Sequence, residues 1–105
     1  MKRFDEAALY LKKAADGMPE RARVHYNLGL LLQQLKRYDE AETALTRALK
    51  IEPDTVDYLH AMADHYIRRG MLEKAKGIAE QMVELYPANP LGERILRFIE
   101  REMKK

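Results

Sequence analysis

A 34-residue period is the feature that most restricts how this chain can fold. The segment Lys-Arg-Phe-Asp-Glu-Ala at residues 2–7 returns at residues 36–41 as Lys-Arg-Tyr-Asp-Glu-Ala, with only the aromatic exchanged. The same shift carries Pro19 to Pro53 and Pro53 to Pro87. A fixed period of this length is typical of stacked copies of one supersecondary unit, each of which buries its apolar side against its neighbours.

Each period holds two amphipathic helices, because apolar residues recur at intervals of three and four. Small residues paired as Gly29 with Ala41 and Ala63 with Ala75 allow the two helices of a unit to approach closely. The pattern predicts an all-α fold of antiparallel helix hairpins. The apolar stripes of the first complete period are Val24, Leu28, Leu31, Leu32 and Leu35, followed by Ala41, Ala44, Leu45, Ala48 and Leu49.

The ends of the helices are also marked in the sequence. The pairs Lys36-Arg37 and Arg69-Gly70 interrupt the apolar stripes, and each proline of the period stops the second helix of its unit. Asp54, with Asp57 three residues later, is predicted to cap the next helix. Asn89 followed by Pro90 is predicted to cap the last one, since proline suits the first helical position.

The period and its recurring residue types resemble the tetratricopeptide repeat, over nearly the whole chain. The middle unit reads His25-x-x-Leu28-Gly29-x-x-Leu32, then Tyr38, Ala41-x-x-x-Leu45, Ala48 and Pro53. The following unit reads Leu59-x-x-Met62-Ala63-x-x-Tyr66, then Leu72, Ala75-x-x-x-Ala79 and Pro87. His25 and Leu59 stand where the family has its first aromatic. The resemblance implies a right-handed αα superhelix of about six helices in one domain, with repeats at 22–55 and 56–89.

Residues 1–21 match only the second helix of a repeat, predicted from Asp5 to Asp16, so we expect the chain to be the last stretch of a longer array. The apolar side of this helix would then have less cover than its counterparts, and a homodimer could form through that N-terminal edge. The alternative is that the helix merely caps the next hairpin. The edge consists of Phe4, Ala7, Ala8 and Leu11.

Residues 90–105 are predicted to form a closing helix over Pro90 to Lys104. Arg97 stands where the array would place its small residue, so a further helix could not pack closely there. A polar outer face of this kind suits a terminal cap. The basic residues of this helix are interleaved with the acidic residues Glu93, Glu100 and Glu102. No regular series of aromatic residues accompanies them, so the sequence argues against nucleic-acid binding.

Composition and motifs exclude several classes of function. The 105 residues suffice for one domain, and 19 basic against 17 acidic side chains give a net charge of only +2. The chain has no cysteine, no phosphate-binding glycine loop and no nucleophile motif, so we expect no catalytic residue, cofactor or metal site. No stretch approaches the ~20 apolar residues of a membrane span. A cytoplasmic location is favoured, and a periplasmic one would require a signal in a parent chain.

One cluster of titratable side chains lies on the first helix of the 56–89 repeat. His60 and Asp64 are four residues apart and share a helix face, which could serve a metal ion or an acid-base pair. The interpretation we favour is a solvated face on which Asp64 pairs with Arg68. His65 falls off that face.

The resemblance implies that the first helix of each repeat lines a concave groove, and that the chain is a non-catalytic scaffold that binds a peptide or helix of a partner protein there. The alternative is a regulatory or substrate-docking segment of a larger multidomain enzyme. Similar arrays that grip chaperone C-termini place basic residues where this chain has Asp57 and Ala61, although Asn27 matches their asparagine. The groove candidates are Arg23, Tyr26, Asn27, Leu30, Gln33, Gln34, Asp57, His60, Asp64 and Arg68.

Overall fold

The computed structural model describes residues 2–18 and 20–105, apart from the side chains of Lys2 and Phe4. These residues form six α-helices and no strand, as predicted for an all-α chain. The first helix is longer than the predicted Asp5 to Asp16. The helices are α1 Lys2–Gly17, α2 Ala22–Gln34, α3 Tyr38–Ile51, α4 Val56–Arg68, α5 Leu72–Leu85 and α6 Pro90–Met103. Among the described residues, none of the helices has the length and apolar character needed to cross a membrane.

The chain divides into two compact units, Met1–Tyr58 and Leu59–Lys105. In the first unit, α1, α2 and α3 enclose a core that includes Ala8 and Ala15 of α1, Leu28 and Leu32 of α2, and Ala41 of α3. In the second unit, the buried residues Ala75, Ala79 and Ile99 unite α5 with α6.

The turns after α2 and α4 end both helices in the same way. The Arg37 N–H donates to the Leu32 carbonyl at 2.9 Å, and the Met71 N–H donates to the Tyr66 carbonyl at 2.8 Å. Each of these hydrogen bonds runs from an N–H to the carbonyl five residues earlier and satisfies a carbonyl of the last helical turn. This geometry requires a residue in the left-handed conformation just before the donor. That residue is Lys36 in one turn, with φ of 60°, and Gly70 in the other, with φ of 72°. Both predicted helix breaks are confirmed.

The two predicted N-caps have different outcomes. The Asn89 side chain accepts a hydrogen bond from the Leu91 N–H at 3.0 Å, with Pro90 at the start of α6, so this cap is confirmed. The Asp54 cap is wrong, because α4 begins only at Val56 and the residue directly before it is Thr55. Asp54 instead belongs to the turn that follows Pro53.

Close packing of α2 on α3 explains the small residues of the first complete repeat. A Cβ at Gly29 would lie 2.7 Å from both Cγ and Cδ2 of Leu45 and 3.4 Å from the Ala41 carbonyl oxygen. Ala41, Leu45 and Ala48 are fully buried beneath this contact. The predicted close approach is therefore confirmed, and the atoms nearest to Gly29 belong to Leu45 rather than to Ala41.

The second unit uses the same device at two places. Ala63 and Ala75 are both fully buried, as expected for small residues between paired helices. A Cβ at Gly92 of α6 would lie 2.9 Å from the Cβ of Met82 on α5, so this helix pair also meets at a glycine. The opposite side of α6 is polar, since Arg97 and Glu93 are exposed and form an ion pair at 2.9 Å.

Candidate functional site

The outer side of α2 carries a row of exposed and half-buried side chains, most of them polar. His25, Leu28, Gly29 and Leu32 point inward and are buried. Tyr26 is half-buried and packs with one side against the buried Tyr58. Asn27 and Gln34 are exposed, and Leu30 is half-buried. We call this surface the α2 face and define it by Arg23, Tyr26, Asn27, Leu30 and Gln34.

Tyr26 has contacts on two sides within the α2 face and its surroundings. Its ring centroid lies 4.9 Å from that of Tyr58, with the two planes tilted by 39°. The Arg23 guanidinium lies 5.7 Å from the centre of the Tyr26 ring, within the range of a cation–π contact. An aromatic side chain fixed on two sides gives a partner a contact surface that costs little conformational entropy to bind.

Tyr58 supports Tyr26 from within the core of the first unit. It is buried with Ala22 and Ala48, and this burial raises the pKa of its phenol, as does the nearby carboxylate of Glu52. Asp57, the neighbour of Tyr58 in sequence, is exposed. The first unit therefore presents a positively charged side chain, Arg23, and a negatively charged one, Asp57, close to Tyr26 and Tyr58.

Gln33 does not belong to the α2 face and is a correction to the predicted set. It lies four residues after Gly29, on the same inward stripe, and is only 5% exposed. Its Nε2 is buried with no hydrogen-bond partner among the described residues. A peptide passing along the α2 face would not reach this side chain.

The candidates of the second unit lie on the outer side of α4. His60 and Arg68 are exposed, and Asp64 is half-buried. Arg68 Nε donates to Asp64 Oδ2 at 2.7 Å, which confirms the ion pair favoured from the sequence. His65 is fully buried and lies off this face, as its position on the helix predicts. The Asp64 carboxylate is therefore engaged with an arginine, and no group of three metal-binding side chains occurs among the described residues.

The structure contains a cleft between α1 and α3 that the sequence pattern does not predict. It has a volume of about 500 Å³, with Leu28, Leu32 and buried His25 among its lining residues. Arg37 and Glu40 on its rim form an ion pair at 2.6 Å; this hydrogen bond lowers the pKa of Glu40 and raises that of Arg37. The exposed leucine Leu9, also in its lining, was the one signal in the sequence, because it lies off the main apolar stripe of α1.

The N-terminal edge differs in part from the prediction. Ala8 is buried against the core of the first unit rather than exposed, and Phe4 lies outside the described side chains. Ala7 is half-buried. Leu11 is half-buried too, and it packs against the core of the first unit rather than forming an open edge. Tyr10, which was not part of the predicted edge, is 74% exposed.

Comparison with known proteins points to one family. The family model described as tetratricopeptide repeat matches residues 1–64. Among curated proteins, sperm-associated antigen 1 of Mus musculus is 25% identical over 101 residues, which cover 96% of this chain but only 11% of that protein. The chain thus spans a small part of the length of this relative.

Solved structures show the same architecture. The first repeat domain of Spaghetti (RPAP3), bound to the HSP90 peptide SRMEEVD, superimposes with a TM-score of 0.86 at 23% identity, over 99% of this chain and 82% of that one. A thermophilic repeat protein of Thermus thermophilus has a TM-score of 0.82 at 28% identity, over 91% of this chain and 49% of that one. These likenesses confirm the solenoid type of fold.

Proposed function

Because the chain belongs to the tetratricopeptide repeat family, whose members are protein–protein interaction scaffolds, we propose that it is a non-catalytic scaffold that binds an extended peptide of a partner protein along the α2 face. The observation that carries the proposal is the row of outward side chains on α2, with Tyr26 fixed between Arg23 and Tyr58. The peptide-bound state of the Spaghetti domain supports a peptide as the kind of ligand.

The spacing of the α2 face suits a short extended peptide. Asn27, Leu30 and Gln34 follow one another at intervals of three and four residues, so they form a straight row along the helix. From Asn27 to Gln34 the helix rises about 10 Å, which is the length of about three residues of extended chain. The two side-chain amides, each a donor and an acceptor, could bind peptide groups about three residues apart, with Leu30 between them for an apolar side chain.

The charges near the tyrosine pair bear on the choice of peptide. Arg23 offers one positive charge, but the exposed carboxylate of Asp57 lies at the position where chaperone-binding relatives are expected to have a base. The Asp57 carboxylate would repel the C-terminal carboxylate of a peptide there, because like charges repel each other even in partly solvated surroundings. We therefore propose an internal peptide segment with an aromatic or apolar side chain for Tyr26, and not the acidic C-terminus of a chaperone.

The experiment uses peptides selected from a displayed library of random heptapeptides on the wild-type chain. The double variant Asn27→Ala and Gln34→Ala removes two amides, each worth about 1 kcal/mol in a hydrogen bond, so affinity should fall by about tenfold or more. The matched control is Thr43→Ala with Lys50→Ala, which changes two exposed residues of α3. Equal affinity for wild type and the α2 variant, or a loss only in the control, would refute the proposed site.

Two further arms separate the alternatives. The synthetic peptide SRMEEVD should bind at least tenfold more weakly than the selected peptides, and stronger binding would instead identify a chaperone C-terminus as the ligand. Arg68→Ala tests the second unit independently, because it breaks the Asp64 ion pair without touching α2. A loss of affinity in Arg68→Ala would identify a ligand-binding surface within the second unit itself, with His60 and Asp64.

A further inference from the structure

The cleft between α1 and α3 has an apolar floor on the inward side of α2. Leu28 and Leu32 of α2 line this floor together with Ala44 of α3. All three are buried in the core of the first unit, so the packing that forms the fold also holds the floor in place. The volume of about 500 Å³ falls within the roughly 300–1,000 Å³ that is typical of small-molecule sites.

Two residues of the floor are smaller than their counterparts one period later. A shift of 34 residues carries Leu32 to Tyr66 and Ala44 to Ile78. The Tyr66 ring is half-buried against the core of the second unit, and the Lys74 ammonium lies 5.7 Å from the centre of that ring. Leu32 has no ring, so the first unit lacks the side chain that would fill its cleft in the same way.

We propose that the cleft binds a small uncharged aromatic molecule, whose ring lies over Leu28, Leu32 and Ala44. This ring takes the place that the Tyr66 side chain supplies in the second unit. None of the residues that define the α2 face lines the cleft. The failure of this site and the failure of the proposed peptide site can therefore be told apart.

The charges around the cleft favour a ligand without a net charge. Arg37 and Glu40 already form an ion pair, and Asp5 and Lys12 add opposite charges beside it. A charged ligand would meet like charges as well as opposite ones, and it would lose hydration above an apolar floor. An uncharged ring avoids both costs. The charged lining residues, three acidic and three basic among those described, are Asp5, Asp16, Glu40, Lys12, Arg37 and Arg47.

The same charged residues favour a free molecule over the side chain of a partner protein. All six are exposed to solvent. A polypeptide that inserts an aromatic side chain would cover several of them, and removing their water without matched partners costs free energy. A free molecule of the size of one ring passes between them and leaves them hydrated.

The test is a titration of the isotope-labelled chain with p-cresol, the side chain of tyrosine without its backbone, followed by NMR. A ring that buries about 150 Å² of its surface binds with an affinity in the millimolar range. We expect the largest shifts at the backbone amides of Leu28, Leu32 and Ala44. An absence of shifts up to about 20 mM, or shifts centred on the α2 face, would overturn the proposal.

Variants that fill the cleft should prevent binding. Leu32→Tyr and Ala44→Ile introduce the larger side chains found one period later, so each should weaken p-cresol binding by about tenfold or more. Circular dichroism checks their folding, and Ala44→Ile carries the test if Leu32→Tyr does not fold. The matched control is Leu85→Tyr, the same change at an exposed residue of α5, which should leave the affinity unchanged. Wild-type affinity in a folded filled variant would overturn the assignment of the cleft.

Three further probes test the class of ligand. The carboxylate p-toluate and the amine p-methylbenzylamine carry the same ring with one charge, and each should bind about fivefold more weakly or worse. A pentapeptide of glycine with a central tyrosine should bind no more tightly than p-cresol. A charged probe that equals p-cresol would refute the uncharged class, and a tighter peptide would identify a protein side chain as the occupant instead.

Discussion

Lys36 shows how one residue can carry strain that its counterpart avoids. Lys36 and Gly70 occupy the same left-handed place in two turns with the same hydrogen bonds. A left-handed residue with a side chain costs about 1–2 kcal/mol, whereas glycine adopts this conformation freely. The first turn is therefore less favourable than the second in its backbone alone.

The variant Lys36→Gly should stabilise the fold. Removing the side chain relieves about 1–2 kcal/mol of backbone strain, whereas glycine costs roughly 0.5–1 kcal/mol because it makes the unfolded chain more flexible. We therefore expect the free energy of unfolding to rise by about 0.5–1 kcal/mol, which corresponds to a few degrees in Tm. Gly70→Ala is the control of opposite sign, and a Cβ there would meet nothing within 4 Å, so only the backbone responds. Thermal unfolding followed by circular dichroism measures both, and a destabilised Lys36→Gly variant would contradict the strain argument.

The ion pair of Glu40 with Arg37 should give a small pH dependence. The hydrogen bond from Arg37 lowers the pKa of Glu40 in the folded state, so the stabilisation is fully present above the ordinary glutamate pKa of about 4.3 and is lost as the pH falls through the lowered value. Because both side chains are exposed, the contribution is below about 1 kcal/mol. Urea unfolding of wild type and Glu40→Gln should differ at pH 7 and converge near pH 2. The matched control is Glu84→Gln, which makes the same side-chain change at an exposed residue of α5. A Glu40→Gln difference that does not shrink as the pH falls would contradict the prediction.

At the scale of helices, the contact of α2 with α3 is a test of close packing. In wild type, Gly29→Ala should destabilise by about 1–3 kcal/mol, since its Cβ would lie 2.7 Å from Leu45. In a Leu45→Ala background those side-chain atoms are gone, and alanine's greater helix propensity of roughly 1 kcal/mol should make the same change stabilising. A double-mutant cycle by chemical denaturation measures this reversal. Equal effects in both backgrounds would mean that Leu45 is not what keeps position 29 small.

The sequence predicts the helices better than their exact faces. Stripes at helical spacing are enough to place α2 and α3, because each buries one apolar side. Gln33 is misplaced since its polar side chain hides a position on the inward stripe, and Ala8 since alanine carries too weak an apolar signal to separate a buried from an exposed position. Asp54 fails because the turn after Pro53 runs one residue further than the cap pattern assumes.

For the molecule as a whole, the period predicts the fold because it repeats a contact between helices that follow each other in sequence. The buried clusters show this, since each unites helices that are at most two places apart along the chain. The candidate site is harder to foresee. Arg23, Tyr26, Asn27, Leu30 and Gln34 follow from the helix face, but the support of Tyr26 by Tyr58 joins two helices and has no sign in the local pattern.

Such local contacts should make folding fast. Helical proteins with short-range contacts fold within microseconds to milliseconds, because little loop entropy is lost before native contacts form. Stopped-flow refolding after a brief unfolding pulse, too short for the prolines to isomerise, should therefore be complete within the mixing time or a few milliseconds. A dominant phase of seconds under these conditions would show that contacts between distant parts of the chain limit folding.

The close, tilted rings of Tyr26 and Tyr58 also have an optical consequence. The chain contains six tyrosines and no tryptophan, so its near-ultraviolet absorption and emission arise mainly from phenol rings. Two rings whose centres are 4.9 Å apart couple their electronic transitions and are held in a chiral setting. A partner that binds the α2 face would directly change the near-ultraviolet signal of these two rings. The molecule thus carries an intrinsic spectroscopic probe at the place where binding is proposed, and occupancy can be followed without any label.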